Sequence, residues 1–251
     1  MKKYLIGSLL VCGSFTSHAT IVEMQTSQGV IEINLFDEQA PNTVANFLSY
    51  IEDDAYNETV IHRSITDFVI QGGGFTFSDS LDPITTRPAV INEPVLSNVK
   101  GTIAMAKLAN DENSATSQWF FNMVDNSTTL DIQNGGYTVF GQITAQSQPT
   151  LDNISALVHC SDIPVVDITS DQCSSSDVTI SSANLVTINS VVVLDDNPAS
   201  STGLNPTNNT LIAQEDTSDD AISSTSSGGV LGGFWLLIAF FVSVNRLKRT
   251  H

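Results

Sequence analysis

The chain is poor in basic residues, and this scarcity excludes one large class of function. Its 251 residues include 9 Lys and Arg against 27 Asp and Glu, and only four of these bases lie between residues 20 and 244. Nucleic-acid binding needs clustered Lys and Arg against the phosphates. We therefore expect no nucleic-acid partner.

Long apolar runs are also scarce: only two occur and both are terminal, which excludes a multi-pass membrane protein. The first run, residues 4–11, follows Lys2 and Lys3 and precedes Ser17-His18-Ala19. A basic start, a short apolar core and small residues before a cleavage site are typical of a secretory signal peptide. We expect residues 1–19 to be that peptide and the protein to be exported to the periplasm, the cell surface or the medium.

The second apolar run, residues 230–244, is followed by a basic end that contains Arg246, Lys248 and Arg249. As a helix it would span about 22 Å, and basic residues after a span mark its cytoplasmic end. Residues 228–251, which begin with two glycines, resemble the GlyGly C-terminal sorting tails of Gram-negative bacteria. That resemblance implies a membrane-embedded rhomboid-type processing protease as a partner, and a plain inner-membrane anchor is the alternative.

Cysteine is rare too, with three residues in the chain. Cys12 belongs to the expected signal peptide, so Cys160 and Cys173 are left as a pair. In an oxidising compartment such a pair favours a disulfide. Two free thiols, or a metal site that lacks its other ligands, are the alternatives.

The patterned part of the sequence is residues 20–195. It contains many short strand-like runs, a hairpin signal around Ser27-Gln28-Gly29, and helical spacing of apolar residues from Pro41 to Ile51. Short strands with Gly-rich turns and about two helices favour a closed antiparallel barrel. From residue 196 to 227 Asp, Asn, Ser, Thr and Pro dominate without a period, and we expect a disordered acidic linker.

Three ordered blocks carry the strongest functional signal. Residues 61–76 read IHRSITDFVIQGGGFT, residues 101–106 and 114–122 read GTIAMA and SATSQWFFN, and residues 137–143 read YTVFGQI. They resemble the FHRVIxxFMIQGGxFT, GTIAMA…SATSQFFIN and YxVFGxV blocks of cyclophilins, the peptidyl-prolyl cis–trans isomerases, and lean towards the bacterial periplasmic branch.

The resemblance to cyclophilins covers residues 20–195 and sets the expectations for fold and activity. It implies a mostly β fold, a closed eight-stranded antiparallel barrel capped by two helices. It also implies isomerisation of X–Pro bonds in extracytoplasmic proteins, with proline-containing polypeptides as substrates and no metal or organic cofactor. We expect a monomer.

The chemistry of the reaction explains why one arginine matters. The barrier to rotation of an X–Pro bond, about 18–20 kcal/mol in peptide bonds generally, is loss of amide resonance. An enzyme must hold the twisted amide better than either planar form, with an apolar socket for the ring and a donor beside the prolyl nitrogen. The resemblance assigns that donor to Arg63. A surface arginine in an ion pair is the alternative.

The resemblance also places the substrate contacts. It puts an apolar socket at Phe68, Val69, Phe120, Leu130 and Tyr137, each of which could equally be ordinary core. Gln71 falls at the position that hydrogen-bonds the substrate backbone. The full set implied for substrate binding is His62, Phe68, Val69, Gln71, Ala106, Lys107, Gln118, Phe120, Thr129, Leu130 and Tyr137.

The sequence departs from the family pattern at three positions of the substrate-binding set and at Trp119, next to Phe120. Val69 replaces the usual Met, and Trp119 replaces Phe with its side chain expected in the core. Lys107 stands at a position used mainly through backbone contacts. Thr129 stands where cytosolic members have Trp and periplasmic relatives Phe, which favours an alternative function: a proline-segment binding module or chaperone with little turnover. Residues 72–74, three glycines, are expected to allow tight turns.

Overall fold

The computed structural model describes residues 20–175, 179–195 and 204–212. The expected signal peptide, residues 1–19, and the apolar run 230–244 lie outside these ranges. Within them, no helix has both the length and the apolar character needed to cross a membrane.

The described residues fold mainly into antiparallel β-structure. Eleven of their strands join in one curled sheet, in the order β4-β5-β9-β8-β10-β2-β1-β13-β3-β6-β7, and β11 and β12 form a separate hairpin. The strands are β1 (Ile21–Thr26), β2 (Gly29–Leu35), β3 (Thr59–Val60), β4 (Arg63–Ile65), β5 (Val69–Gly72), β6 (Phe75–Phe77), β7 (Leu81–Pro83), β8 (Thr102–Met105), β9 (Trp119–Asn122), β10 (Val139–Ile143), β11 (Val158–Cys160), β12 (Ile163–Val165) and β13 (Thr187–Asp195). The helices are α1 (Pro41–Glu52), α2 (Ser127–Leu130), α3 (Gln148–Ser155) and α4 (Ser170–Cys173).

The predicted N-terminal hairpin is confirmed as β1 and β2. Its register pairs Val22 with Ile33 and Met24 with Ile31, so that these four side chains share one buried face. Gly29 closes the turn with a φ of 132°, a value that L side chains rarely adopt. The strict alternation of apolar residues therefore fixes the register.

The predicted helix at residues 41–51 is confirmed as α1. Pro41 occupies its first turn, where the missing N–H costs nothing, and Val44, Phe47 and Ile51 lie on the buried side. Phe47 packs against Phe140 with ring centroids 5.1 Å apart, which ties the helix to the main core.

The strand count differs from the eight that the sequence analysis predicts. Residues 59–65 form β3 and β4 with an interruption at residues 61–62, and residues 69–77 form β5 and β6 with an interruption at residues 73–74. β4 pairs with β5 and β3 pairs with β6, so each interrupted segment contributes to both ends of the sheet order. The two longer helices are α1 and α3, and α2 and α4 are single turns that the sequence analysis does not predict. Closure of the barrel stays a prediction.

Cys160 and Cys173 form a disulfide that joins β11 to α4. This is the pairing that the sequence analysis favours over free thiols. The bond closes a loop with a sequence separation of 13, which in the loop-entropy account stabilises the fold by about 3 kcal/mol. It lies in a small apolar cluster with Val60, Phe75 and Leu185, which anchors the hairpin to the sheet.

Part of the predicted disordered linker is ordered. Residues 204–212 run antiparallel to residues 95–97: Ser97 N donates to Thr207 O at 2.8 Å, and Asn209 N donates to Val95 O at 2.9 Å. Leu204 packs on an apolar cluster of the domain. The expectation of disorder is therefore wrong for this stretch, because its few apolar side chains and its backbone find partners. The rest of the predicted linker lies outside the described residues.

Candidate active site

A row of side chains crosses the outer face of the sheet. Cα registers pair Arg63 with Gln71 between β4 and β5, Gln71 with Phe120 between β5 and β9, and Phe120 with Ala104 between β9 and β8. Cross-strand partners project to the same face of a sheet, so a cation, an amide and an aromatic ring become neighbours. The residue after Phe120 in the strand, Phe121, belongs to the main core on the opposite face.

The five predicted socket residues, Phe68, Val69, Phe120, Leu130 and Tyr137, come together next to this row and are called the socket below. They share one apolar cluster, with Phe68 half-buried and the other four buried. The rings of Phe120 and Tyr137 meet edge to face, with centroids 5.7 Å apart and an interplanar angle of 75°. The cluster is completed by Phe36, Leu96, Ala104, Ala106 and Val139.

Arg63 lies at the polar edge of the socket. Its Nη1 donates to Gln71 Oε1 at 3.4 Å, and Gln71 Nε2 donates to Gln118 Oε1 at 2.8 Å. Its Nε lies 3.7 Å from Asp162 Oδ2. Burial lowers the pKa of Arg63 and the Asp162 carboxylate opposes that shift, so the guanidinium stays charged.

His62 is fully buried. Its ring packs on Phe75 with centroids 4.8 Å apart, and Gln118 and the backbone of Val60 act to raise its pKa. Desolvation lowers the pKa of His62 to about 4, with Arg63 adding to the shift, so the ring is neutral at pH 7. His62 is therefore a neutral ring packed beside the site.

Lys107 differs from the expectation of mainly backbone contacts. Its side chain is buried, and Nζ donates to Asn134 O at 2.8 Å and to Gly136 O at 2.6 Å. The ammonium also lies 4.9 Å from the centre of the Tyr137 ring. Burial lowers the pKa of Lys107 to about 8 against the opposing effect of Glu112 and Asp111. This side chain ties the loop before Tyr137 to the sheet.

Thr129 is exposed on α2, beside the buried Leu130. It is not a member of the apolar cluster that forms the socket. Ala106, Gln118, Gln71 and Lys107 line a neighbouring cavity of about 410 Å³. The remaining lining residues are Gly74, Phe75, Pro83, Ile84, Thr86, Leu108, Ser114, Thr116 and Ser117.

The glycines at residues 72–74 serve mainly to make room. A Cβ on Gly73 would fall 2.5 Å from the indole nitrogen of Trp119, and one on Gly74 would fall 2.7 Å from the side chain of Gln118. Trp119 is completely buried, as the sequence analysis predicts. Only Gly73 also needs a positive φ, 73°, so the expectation of tight turns at all three positions is too broad.

Comparison with known proteins identifies the family. Residues 21–185 match the family described as cyclophilin type peptidyl-prolyl cis-trans isomerase/CLD. A peptidyl-prolyl cis-trans isomerase of Acinetobacter baylyi is 40% identical over 142 residues, covering 55% of this chain and 73% of the relative. Isomerase A of Dickeya dadantii is 37% identical over 166 residues, covering 62% of this chain and 85% of the relative. Isomerase B of Escherichia coli is 40% identical over 129 residues, covering 49% and 77%.

The fold has counterparts among solved structures. A cyclophilin type peptidyl-prolyl cis-trans isomerase of Cryptosporidium parvum, crystallised in the presence of the dipeptide Ala-Pro, superimposes with a TM-score of 0.52. The two chains are 22% identical, and the match covers 70% of this chain and 99% of the other. At this identity the likeness shows the fold.

Proposed function

The chain belongs to the cyclophilin-type peptidyl-prolyl cis–trans isomerase family, and from this premise we propose that Arg63 and the socket carry its isomerisation of X–Pro bonds. The observation that supports this proposal is a buried, charged guanidinium on the same sheet face as an apolar hollow. Arg63 is the catalytic residue in this account, and the socket binds the proline ring of the substrate.

The geometry suits a reaction in which no covalent bond is made or broken. As the amide twists, resonance is lost and the prolyl nitrogen gains a basic lone pair. Arg63 donates to that nitrogen, and because Gln71 and Asp162 hold the guanidinium, little reorganisation is needed when the charge develops. Gln71 hydrogen-bonds the backbone of the substrate in this account, and Gln118, which accepts from Gln71 Nε2 at 2.8 Å, holds that side chain.

The proposal is tested by exchange NMR on an Ala–Pro peptide with the purified chain. The wild-type chain should accelerate cis–trans exchange, and Phe120→Leu should raise KM because it leaves part of the socket empty. Thr128→Ser, a change of an exposed side chain of α2 outside the socket, is the matched control. Unaccelerated exchange with the wild-type chain would contradict the proposal.

A second candidate function rests on Thr129. Without an aromatic ring at this position the site could bind proline segments and release them with little turnover, as a chaperone does. The discriminating experiment measures peptide affinity and exchange rate on the same sample. Tight binding with slow exchange, together with a large gain in rate for Thr129→Phe, would favour the binding module over the enzyme.

We also propose that the substrates are proteins outside the cytoplasm. The signal-peptide pattern of residues 1–19 supports this location, as does the Cys160–Cys173 disulfide, which requires an oxidising compartment to persist. Intact mass of the protein recovered from cell envelope and medium tests it. A mature form that begins at Thr20 is expected, and a mass that retains residues 1–19 would contradict export. The same mass shows whether the apolar run 230–244 is kept or removed.

A further inference from the structure

Beyond the family-matched residues, we propose that residues 204–212, called the strap below, hold in place the loop that carries two socket residues. The loop is residues 130–137, which begins at Leu130 and ends at Tyr137. This inference rests on the proposed function, since it assigns the strap to the same site. It concerns a segment C-terminal to residues 21–185, the part of the chain that matches the family.

The first support is where the strap lies. Its backbone is hydrogen-bonded to Val95 and Ser97, the residues before and after Leu96 in the chain. Leu96 is buried in the same apolar cluster as the socket. Leu204 packs on that cluster. The strap therefore packs on the same apolar cluster that forms the socket.

The second support is a direct contact with the loop. Asn209 Nδ2 donates to Asp131 O at 2.8 Å, while its Oδ1 accepts from Leu211 N at 3.0 Å and from Ile212 N at 3.2 Å. The side-chain amide of Asn209 thus caps the turn at the end of the strap and also joins the strap to the loop. Ile212 then lies against Gly136, with its Cδ1 3.1 Å from the point that a Cβ on Gly136 would occupy.

The third support is that this contact continues to the socket. Asp131 is 1% exposed, and its Oδ1 accepts from Asn98 N at 2.7 Å and Nδ2 at 3.0 Å. The same Asn98 Nδ2 donates to Tyr137 O at 3.0 Å, and Tyr137 N donates to Leu130 O at 2.8 Å. Buried polar groups are costly to leave without hydrogen-bond partners. A substitution at Asn209 removes the bond to Asp131, and the bonds of Asn98 link Asp131 to Tyr137 at the other end of the loop.

The loop is consequently held from two sides. Lys107 binds the carbonyls of Asn134 and Gly136 from the sheet, and the strap binds Asp131 O and packs on Gly136 from below. If the strap contact is lost, the socket must be ordered when substrate binds, which weakens substrate affinity. Among the described residues Arg63 is hydrogen-bonded to Gln71 and paired with Asp162, neither of which belongs to the strap, so the loss should appear in KM far more than in kcat.

The test uses Asn209→Ala in the full chain. The matched control is Asn208→Ala, an exposed asparagine of the strap that joins residue 96 through its backbone. For an Ala–Pro peptide we expect Asn209→Ala to raise KM about fivefold, the effect of losing one hydrogen bond, with kcat within about twofold. Asn208→Ala should match the wild-type chain. Leu204→Ala, which keeps the contact with Asp131, provides a second variant with the same expected direction.

Hydrogen exchange of the Tyr137 amide gives a readout that does not depend on activity. It should exchange faster in Asn209→Ala, while the amide of Met24 in the β1–β2 hairpin keeps its wild-type rate. Unchanged KM and unchanged exchange at Tyr137 in an active protein would overturn the inference. Equal acceleration at both amides, with a lower Tm and a lower kcat, would also overturn it, because it would show a general structural role. An inactive wild-type chain would count against the proposed function instead, and the exchange rates would still test the strap.

Discussion

Acid should destabilise this protein through His62, a histidine that is buried in its neutral form. Desolvation in the core lowers the pKa of His62 to about 4 in the folded protein, against about 6.5 for an unfolded chain. Between these two values the unfolded chain binds the extra proton. The free energy of unfolding therefore has its full value above about pH 6.5 and falls as pH drops towards 4. A difference of about 2.5 pKa units corresponds to about 3 kcal/mol.

The assay is urea unfolding at pH 7, 5.5 and 4, with His62→Gln as the matched variant. Glutamine keeps a hydrogen-bonding group but does not titrate, and both proteins contain the same titrating carboxylates. The wild-type chain should lose about 3 kcal/mol more than the variant between pH 7 and pH 4. Parallel stability curves would refute the assignment of a neutral, buried His62. Since His62 is neutral above pH 6, kcat/KM should also be flat from pH 6 to 7.5.

Three further predictions follow from contacts at the site and the hairpin. Gly73→Ala should lower the free energy of unfolding by about 2–3 kcal/mol in urea melts, because the new Cβ would meet Trp119 at 2.5 Å on a backbone with positive φ; an unchanged midpoint would count against it. Lys107→Met should lower kcat/KM about tenfold in the peptide assay through loss of two buried hydrogen bonds to the loop, and full activity would contradict a positioning role. Reduction of Cys160–Cys173 should lower the free energy of unfolding by about 3 kcal/mol in urea melts run with and without dithiothreitol; identical curves would show that the bond adds no stability.

Local signals in the sequence were sufficient for much of the fold. The β1–β2 hairpin and α1 follow from alternation around Gly29 and from helical spacing after Pro41, and both lie where predicted. The interruptions that split residues 59–65 and 69–77 were not predictable in the same way. The second of them lies next to Trp119, from a distant strand, which occupies the space that Gly72 and Gly73 leave open.

Leu130 lies outside the motif blocks, but the other four socket residues lie within them and were predictable from them. Lys107 and His62 were not, since their roles depend on neighbours far along the chain. The carbonyls that Lys107 binds lie 27 and 29 residues away, and no local pattern indicates them. Residues 196–227 lack any period, so their sequence does not predict the strap. Its one available signal was the cluster of Leu211, Ile212 and Leu204 within an otherwise polar stretch.

The catalytic account depends on the positive charge of Arg63 and on the planar geometry of its guanidinium group. The most direct measurement is kcat/KM for an Ala–Pro peptide with Arg63→Ala and Arg63→Lys, each checked for an unchanged near-ultraviolet circular dichroism spectrum. Removal of one preorganised donor in a dry site typically costs about 100- to 1000-fold in rate. We expect a loss of this size for Arg63→Ala, and a smaller loss for Arg63→Lys, which keeps the charge but not the planar geometry. A folded Arg63→Ala protein with the wild-type kcat/KM would contradict the account.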